Sequence, residues 1–333
     1  MKDKYWFGRQ VLITGGTGFV GKNLVDQLLT LGSDVFVLTR NPSNLDLLFD
    51  NPHKDNCHGF IGDLTDNKIL GELKKIIGEQ KIQDVFHLAA QSIPRVSVDN
   101  PDYTFEVNSQ GTEKLLEACR QERGQVKSIT IASSINVYGK PNHKDLPLKE
   151  TAPFVAMSPY DASKAAADSL ASSYASSYKL PIAIVRCSNI YGGGDLNFDN
   201  RVIPKIFKCM LVGEEFNLMG GSQKRDYLYV KDAVSAYLTL AEKIFETNSL
   251  IGEAFNFGLG HPISLEELIK EIEKVTMSKI KIKRVSLNGA DPGDIYSSSE
   301  KAKKILRWNP RYNLGRGLAE TFKWYKNLLK RDG

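Results

Sequence analysis

The feature that most constrains the fold is the alternation of short apolar runs with helical segments over the first 187 residues. Apolar runs bounded by turn residues are typical of strands buried on both faces of a parallel sheet. The runs are QVLIT (10–14), DVFVLT (34–39), HGFIG (58–62), DVFHLA (84–89), SITIAS (128–133) and IAIVRC (182–187). The helical patterns cover 19–31, 66–77, 101–123, 157–179 and 201–212. The alternation predicts an α/β fold with a Rossmann-type, doubly wound parallel sheet.

The regular alternation of apolar runs and helical segments ends after residue 187. Glycine-rich turns at 192–195 and 219–222 separate shorter elements, among them the strand-like runs EFNLM, DYLYV and EAFNF. Ser264 and Glu267 have the spacing of a capping box at the start of a helix over 263–275. We therefore expect two domains. A dinucleotide-binding domain covers 1–187, and a smaller mixed α/β lobe for the substrate covers 188–333, with some chain crossing back to the first domain.

Composition excludes several classes of protein. A chain that is 41% hydrophobic and 25% charged is globular rather than disordered. There is no apolar run long enough to span a membrane, and the N-terminus MKDKYWFGRQ lacks the apolar stretch of a signal peptide, so we expect a cytoplasmic protein. The net charge of +5 is mild and its lysines are scattered, which suits an anionic small molecule better than nucleic acid. The four cysteines and five histidines lack metal-ligand spacing, so no metal site is expected.

A glycine-rich turn follows the first predicted strand. Gly15, Gly18 and Gly21 form GxxGxxG in QVLITGGTGFVGKNL, directly before a helix. Glycines there permit a tight turn and let backbone amides approach a pyrophosphate, which the N-terminus of the helix also attracts. The alternative is a plain strand–turn–helix punctuated by glycine. The context favours a dinucleotide site.

The second predicted strand ends without the acid that usually binds the ribose hydroxyl. Thr39 and Arg40 occupy its end, and an arginine can receive a 2′-phosphate. The cofactor is therefore predicted to be NAD or NADP, with Arg40 favouring NADP; otherwise Arg40 stacks on the adenine or faces solvent. Asp63 is a candidate partner of the adenine amine, and the alternative is that Asp63 or Thr65 caps the next helix.

The candidate catalytic residues are Tyr160, Lys164 and Ser134. Tyr160 and Lys164 form YxxxK and, being four residues apart, share one face of a helix. An ammonium group beside a phenol lowers the pKa of the phenol, which can then take a proton from a sugar hydroxyl as hydride leaves the same carbon. Ser134, at the end of the fifth predicted strand, can hydrogen-bond that oxygen.

These motifs together resemble an extended short-chain dehydrogenase/reductase of the nucleotide-sugar epimerase/dehydratase family. The resemblance spans nearly the whole chain, through GGTGFVG (15–21), GDLTD (62–66), HLAAQ (87–91), NSQGTEKLLEAC (108–119), SSINVYG (133–139), PYDASK (159–164), RCSNIYGGGD (186–195), RDYLYVKDA (225–233) and LRWNPRYNLGRGLAETFKWY (306–325). The opening YWFGRQVLITG and the segments 85–108 and 192–206 resemble CDP-glucose 4,6-dehydratases in particular. The resemblance implies a CDP-linked hexose, with UDP, GDP and dTDP sugars as alternatives.

The resemblance also implies which residues contact each ligand. The expected cofactor contacts are Gly15, Thr17, Gly18, Phe19, Val20, Thr39, Arg40, Asp63, Leu64, Leu88, Ala89, Ala90, Tyr160 and Lys164. The expected substrate contacts are Ser92, Arg95, Ser134, Asn136, Asn189, Arg201, Val202 and Arg225. Relatives pair through the helices that map to about 101–123 and 157–179, so a homodimer is expected.

Two of the substrate-side assignments leave alternatives open. Arg225 is expected to bind phosphate, and the alternative is a surface salt bridge with Asp226 or Asp232. Many relatives carry a second arginine where this chain has Asp291, and Arg284 or Lys283 is the expected replacement. His87 is expected to pack beneath the cofactor rather than to act as an acid or base.

The chain departs from the dehydratases directly after Ser134. Dehydratases place an acid there, followed by Glu or Lys, whereas this chain has Ile135 and Asn136, neither of which can exchange protons near neutral pH. The leading hypothesis is therefore an NAD(P)-dependent nucleotide-sugar epimerase, acting at C4 through a transient ketosugar. The alternatives are a divergent 4,6-dehydratase, a 4-ketoreductase, a uronic-sugar decarboxylase and a dinucleotide-binding sensor or scaffold without catalysis.

Overall fold

The computed structural model describes residues 3–41, 43, 52–122, 124–286 and 293–331. The chain divides into two compact units, each assembled from three separate stretches. The first unit comprises Met1–Gly139, Phe154–Arg186 and Val234–Phe255, and the second comprises Lys140–Pro153, Cys187–Ala233 and Asn256–Gly333.

The strands are short, and those of the main sheet are largely apolar. They are β1 (Gln10–Thr14), β2 (Asp34–Thr39), β3 (Cys57–Ile61), β4 (Asp84–His87), β5 (Ser128–Ser134), β6 (Ile182–Cys187), β7 (Asn189–Tyr191), β8 (Phe216–Met219), β9 (Lys224–Arg225), β10 (Tyr227–Tyr229), β11 (Ala254–Phe257), β12 (Ile263–Ser264) and β13 (Ile282–Val285).

The helices range from one turn to twenty residues. They are α1 (Asp3–Trp6), α2 (Phe19–Thr30), α3 (Ile69–Glu79), α4 (Pro94–Asp99), α5 (Pro101–Phe105), α6 (Gly111–Gln121), α7 (Pro159–Tyr178), α8 (Val202–Val212), α9 (Val230–Glu246), α10 (Leu265–Thr276) and α11 (Leu314–Arg331). Short 3₁₀ turns cover Lys54–Asn56, Ile135–Tyr138, His143–Asp145 and Asn248–Leu250, and π-helical turns cover Glu106–Gln110 and Ala302–Leu306.

The first unit is built on a seven-stranded sheet in the order β3-β2-β1-β4-β5-β6-β11. Neighbouring strands from β3 to β5 run parallel, so their carboxyl ends meet at one edge. The chain order reverses between β1 and β4, and ligands of doubly wound sheets bind at such a switch point. The predicted Rossmann-type fold is confirmed.

Amphipathic helices cover this sheet. Residues three and four apart on α3 (Ile69, Leu73, Ile76, Ile77) and on α6 (Leu115, Leu116, Cys119) are buried in one apolar cluster with strand residues such as Leu12 and Ile129. Burial of this surface at about 25 cal/mol per Å² is the main force that holds α3 and α6 on the sheet.

One strand belongs to a different sheet than expected. The run EAFNF was predicted to be a short strand of the C-terminal lobe, whereas β11 lies beside β6 as the edge strand of the main sheet. Glu253 accepts a backbone hydrogen bond from Ile184, and Gly252 donates one to Ile182. A four-residue apolar run has the same pattern in either sheet, so only the long-range pairing decides its place.

The second unit contains small two-stranded sheets: β7 with β10, β9 with β12, and β8 with β13. The β7–β10 and β8–β13 pairs are parallel, and the β9–β12 pair is antiparallel. The predicted capping box is confirmed, because Ser264 Oγ accepts from the Glu267 amide and the Glu267 carboxylate accepts from the Ser264 amide. In the part of the chain that the structure describes, no helix is both long and apolar enough to cross a membrane.

Candidate active site

The glycine-rich turn between β1 and α2 needs glycine at two positions. Gly15 has φ +75°, and a Cβ there would lie 2.6 Å from the Ala89 nitrogen. A Cβ on Gly21 would lie 2.0 Å from the Gly15 carbonyl oxygen, which is closer than real contacts allow. The turn therefore packs α2 against the end of β1 more tightly than a side chain permits.

The N-terminus of α2 is open to an anion. Gly18 is the N-cap, no side chain caps the helix there, and no acidic residue lies in the first turn. A Cβ on Gly18 would have only the Gly15 oxygen, at 3.3 Å, within 4 Å, so the approach to the turn is clear. Phe19 and Val20, the first helical residues, are partly exposed. These features fit a pyrophosphate held by backbone amides and the helix dipole.

Thr39 and Arg40 lie at the carboxyl end of β2. Thr39 is buried, and its Oγ1 lies 3.5 Å from the Thr17 Oγ1 in the glycine-rich turn. Arg40 is exposed, and its guanidinium donates a hydrogen bond to the Tyr103 hydroxyl. Arg40 is thus held against α5 by a hydroxyl group and not by a carboxylate.

The loop after β3 is folded around Asp63. Its Oδ1 accepts from the Thr65 amide at 2.9 Å and from the Thr65 hydroxyl at 3.0 Å, and Leu64 beside it is buried. The alternative that Asp63 or Thr65 caps the next helix is wrong, because α3 begins at Ile69 with Lys68 as its N-cap. The Asp63 side chain stabilises the loop itself.

The segment after β4 lies beside the glycine-rich turn. Leu88, Ala89 and Ala90 are partly exposed, and the Ala89 amide donates to Thr14 Oγ1 at 3.4 Å. Ser92 and Arg95, predicted to contact the substrate, are exposed, Arg95 on α4. The segment after β4 therefore carries both an apolar surface and an exposed arginine.

Ser134 is the last residue of β5. Its Oγ accepts from the Asn136 amide at 3.1 Å and thereby starts the 3₁₀ turn Ile135–Tyr138. Ile135, where dehydratases have an acid, is 2% exposed, and Asn136 is partly exposed. The strand end offers a hydroxyl and an amide but no carboxylate at these two positions.

Tyr160 and Lys164 lie one turn apart near the start of α7. Ser158 caps this helix by accepting from the Asp161 amide at 3.2 Å, and the Tyr160 amide donates to the Ser97 Oγ of α4 at 3.0 Å. Lys164 is buried, and its Nζ donates to the carbonyl of Ala132, two residues before Ser134. The structure therefore brings Lys164 to the same strand end as Ser134.

Burial changes the proton affinity of Lys164. Its removal from water lowers the pKa to about 8, and the negative charge of Asp168 opposes this by raising it. An ammonium with this pKa is charged at neutral pH and can stabilise a nearby phenolate, as the YxxxK pattern predicts.

The predicted substrate residues of the second unit lie on β7, on β9 and at the start of α8. The Asn189 amide donates to the Asp226 carbonyl at 3.1 Å, which places Asn189 on β7 beside the strand that follows Arg225. Arg201 occupies the N-cap position of α8 ahead of Val202, and its Nη1 lies 3.6 Å from the Asp195 carboxylate. Arg201 is thus close to a buried acidic side chain, which was not predicted; burial raises the pKa of Asp195.

Arg225 is bonded to two backbone carbonyls. Its Nη1 donates to the carbonyls of Lys224 at 2.8 Å and Gly293 at 2.6 Å. Asp226 is fully buried and accepts from the amides of Gly260 and His261, and Asp232 accepts from the amides of Arg311 and Tyr312. Both acids are thus bonded to backbone amides, and phosphate binding by Arg225 stays a prediction.

The two candidates to replace the second arginine, Lys283 and Arg284, both lie on β13. Arg284 on β13 pairs with Glu266 at 2.8 Å, and Lys283 beside it is exposed. Asp291, which stands where many relatives have that arginine, lies outside the described residues.

Comparison with known proteins decides the family. The family model described as "GDP-mannose 4,6 dehydratase" matches residues 12–321. The chain belongs to the GDP-mannose 4,6-dehydratase family. The predicted epimerase/dehydratase family and the prediction of an enzyme are thereby confirmed.

Three relatives illustrate the range of this family. The UDP-glucose 4-epimerase of Lacticaseibacillus casei is 30% identical, over 95% of this chain and 97% of its own. The human dTDP-D-glucose 4,6-dehydratase is also 30% identical, over 96% of this chain and 91% of its own. The dTDP-glucose 4,6-dehydratase of Bacillus anthracis, solved in complex with NAD, has a TM-score of 0.82 and 28% identity, over 97% of this chain and 98% of that chain.

This member of the dehydratase family has a buried ion pair next to Lys164 that the sequence analysis did not predict. Asp168 on α7 accepts from Arg186 on β6 through two bonds of 2.8 and 2.9 Å and from Ser133 Oγ at 2.7 Å. Arg186 also donates to the Tyr138 hydroxyl at 2.8 Å. The sequence feature that could have indicated this pair is the arginine inside the apolar strand IAIVRC, because a buried arginine needs an acidic partner.

A second missed group connects the end of β4 to α7. Asn108 Oδ1 accepts from the Gln91 amide at 2.7 Å, and its Nδ2 donates to the Gln91 carbonyl and to Ser163 Oγ. Ser163 Oγ in turn donates to the Tyr160 carbonyl at 2.8 Å. Asn108 lies in the π-helical turn Glu106–Gln110, and such turns are frequent at functional sites.

His87 lies beneath this network and is held on both sides. Its Nε2 is 2.9 Å from Thr112 Oγ1, whose own proton is donated to the Asn108 carbonyl, so Nε2 carries the ring proton. Its Nδ1 is 2.7 Å from Thr14 Oγ1 and accepts from that hydroxyl. Burial, helped by the charge of Lys164, lowers the pKa of His87 to about 3, so the ring is neutral.

Proposed function

We propose that the chain is a nicotinamide-dependent nucleotide-sugar 4-epimerase. The observation that carries the proposal is the pair Ile135 and Asn136, directly after an intact set of Ser134, Tyr160 and Lys164. That set supports removal and return of hydrogen at one ring carbon. The absence of an acid and a base at 135 and 136 argues against the elimination of water from the neighbouring carbons.

The cofactor is proposed to bind at the carboxyl ends of β1, β2 and β4. The turn formed by Gly15, Thr17 and Gly18 with the start of α2 would hold the pyrophosphate, and Thr39, Arg40, Asp63 and Leu64 would surround the adenosine. When bound, the nicotinamide accepts a hydride from the sugar and returns it. Leu88, Ala89 and Ala90 would form the apolar wall beneath it.

Tyr160, Lys164 and Ser134 are proposed to handle the proton. The Tyr160 phenolate takes the proton from the C4 hydroxyl as the carbon becomes a ketone, and the Lys164 ammonium stabilises that phenolate. Ser134 donates a hydrogen bond to the same oxygen. After the ketosugar turns over in the pocket, the Tyr160 hydroxyl returns the proton, and the hydroxyl group has the opposite configuration.

The substrate is proposed to be a nucleoside diphosphate hexose. Arg225 and Asn189 would bind the diphosphate, because a guanidinium and an amide can donate to several phosphate oxygens. Arg201 and Val202 would lie against the base, and Ser92, Arg95 and Asn136 against the sugar. The resemblance of 85–108 and 192–206 to CDP-glucose dehydratases supports cytidine, whereas the L. casei and human relatives carry uridine and thymidine sugars in their names.

Arg40 favours a second candidate, a 4-ketosugar reductase that uses NADPH. Its exposed guanidinium, held by the Tyr103 hydroxyl, suits a 2′-phosphate. A reductase exchanges its cofactor at each turnover and needs the same Ser134, Tyr160 and Lys164.

We also propose a homodimer in the cytoplasm. Phe105 on α5 and Tyr178 on α7 are large exposed side chains on the helices predicted to pair. All four cysteines are buried and free of disulfides, which fits a reducing compartment.

The test is to incubate the purified chain with CDP-, UDP-, GDP- and dTDP-glucose, with and without NAD or NADP, and to follow the sugar protons by NMR. We expect the C4 epimer of one sugar, no net change in reduced cofactor and, in D₂O, no deuterium in the product. A Tyr160→Phe variant serves as the inactive control. A 6-deoxy methyl doublet with deuterium incorporated from water would refute the proposal in favour of dehydration. No conversion of any of the four sugars would favour the ketoreductase.

A further inference from the structure

A buried carboxylate lies one helical turn beyond Lys164. Tyr160, Lys164 and Asp168 are spaced by four residues on α7 and share one face. Asp168 is 1% exposed and is used by no step of the proposed reaction. Burying an ion pair brings little stability compared with an apolar replacement, so its presence next to the reacting groups calls for a reason.

We propose that Asp168 is a positioning residue for Lys164 and Ser134: its carboxylate fixes the end of β5 through Ser133 and places a charged group one helical turn from Lys164. This inference rests on the proposed function, in which Tyr160 exchanges a proton with the sugar.

The geometric part follows from two hydrogen bonds. Lys164 donates to the Ala132 carbonyl, and the next residue, Ser133, donates to Asp168 at 2.7 Å. Consecutive residues of β5 are therefore held by side chains one turn apart on α7. Ser134 is the residue that follows, so loss of the Ser133–Asp168 bond frees the strand end that sets its distance from Tyr160.

The electrostatic part follows from the charges around Lys164. His87 on β4 is neutral, because burial lowers its pKa to about 3, and Arg186 on β6 is a cation bound to Asp168. Tyr160 on α7 is the group that Lys164 serves. Asp168 is thus the charge that raises the pKa of Lys164 against the effect of burial. Without it, burial would lower the pKa of Lys164 unopposed, and Lys164 would lose its proton at lower pH.

The experiment compares wild type with Asp168→Asn, Asp168→Glu and the double variant Asp168→Asn/Arg186→Met. The readouts are Tm, the pH profile of kcat, and the ultraviolet absorbance of the Tyr160 phenolate, obtained by subtracting a Tyr160→Phe version of each protein. We expect Asp168→Asn to move the basic limb of kcat down by about one pH unit and the ionisation of Tyr160 up. Asp168→Glu should restore most of the wild-type pH profile of kcat and most of the wild-type ionisation of Tyr160.

The double variant separates this role from a purely structural one. Replacing both charges removes the unpaired buried cation, so its Tm should recover while both pH shifts remain. A lower Tm with unchanged pH profiles in Asp168→Asn would overturn the inference, as would a double variant with wild-type profiles. If the wild type converts no sugar, the proposed function fails, and the Tyr160 titration still decides the role of Asp168.

Discussion

The way His87 is buried can be tested through the pH dependence of stability. Its ring is neutral and holds Thr112 and Thr14 through one donated and one accepted hydrogen bond. Burial, and then the charge of Lys164, lowers its pKa to about 3, whereas a histidine in the unfolded chain titrates near pH 6.5. Between these values the unfolded state binds more protons, so the native state loses stability as the pH falls from about 6.5 towards 3.

The size of this loss follows from the two pKa values. Protonation of His87 in the unfolded chain lowers the free energy of unfolding by ~0.2 kcal/mol at pH 7 and by ~2 kcal/mol at pH 5. The variant His87→Gln removes the titration but keeps an amide donor and acceptor for the two threonines. Acidic residues titrate alike in both proteins, so their contribution cancels in the comparison.

The assay is urea unfolding of both proteins at pH 7 and pH 5. On going to pH 5, the free energy of unfolding of wild type should fall by about 2 kcal/mol more than that of His87→Gln. Equal changes in both proteins would refute the argument, because they would mean that native His87 takes up protons as easily as unfolded His87. Since His87 is not proposed as an acid or base, the pH limbs of kcat in His87→Gln should match those of wild type.

Three further predictions concern the site directly. Tyr160→Phe should lower kcat at least about a hundredfold and leave nucleotide-sugar affinity unchanged in calorimetry; retained turnover would exclude Tyr160 as the proton acceptor. Arg225→Ala should raise the KM for the nucleotide sugar about tenfold to a hundredfold through loss of a charge-assisted hydrogen bond, with Lys231→Ala, a surface lysine paired with Glu320, as the control that changes nothing. Arg40→Ala should weaken NADP binding about tenfold and NAD binding much less, and equal losses for the two cofactors would contradict a role in 2′-phosphate recognition.

The sequence predicted the sheet well where burial determines the pattern. The strands β1, β2 and β6 begin and end at the predicted residues, because runs such as VLI and IAIV are apolar and buried on both faces. The helix predicted over 101–123 is instead α5, a π-helical turn and α6, and α4 precedes it. The hydrogen-bond shift at Glu106–Gln110 accompanies side-chain contacts of Asn108 with distant residues, which a helical period does not encode.

The sequence predicted those site residues that are related by short spacing along the chain. The YxxxK pattern identified Tyr160 and Lys164 because four residues make one helical turn. The same reasoning, extended by one turn, leads to Asp168, yet its importance depends on Arg186 and Ser133, which come from other strands. The three-dimensional arrangement, not the motif, shows that a buried charge accompanies the lysine.

The departure at 135 and 136 leads to a final prediction. Ile135 is 2% exposed, so introducing the acid of a dehydratase there would bury a carboxylate rather than present it to a substrate. We expect Ile135→Asp, alone or with Asn136→Glu, to be destabilised and to form no 6-deoxy sugar. The native pKa of the new carboxyl should be raised, so its native state binds more protons than the unfolded state.

The matched control is Ile135→Asn, because asparagine is polar and similar in size to aspartate but carries no charge. At pH 7 the Tm of Ile135→Asp should lie below that of Ile135→Asn, and the gap should narrow at pH 5, because a raised native pKa makes the acid variant more stable as the pH falls. A pH-independent gap, or an equal Tm at pH 7, would mean that the side chain at 135 reaches water. In that case two substitutions would suffice to place an acid and a base beside Ser134. The burial of residue 135 would then no longer support epimerisation over elimination of water.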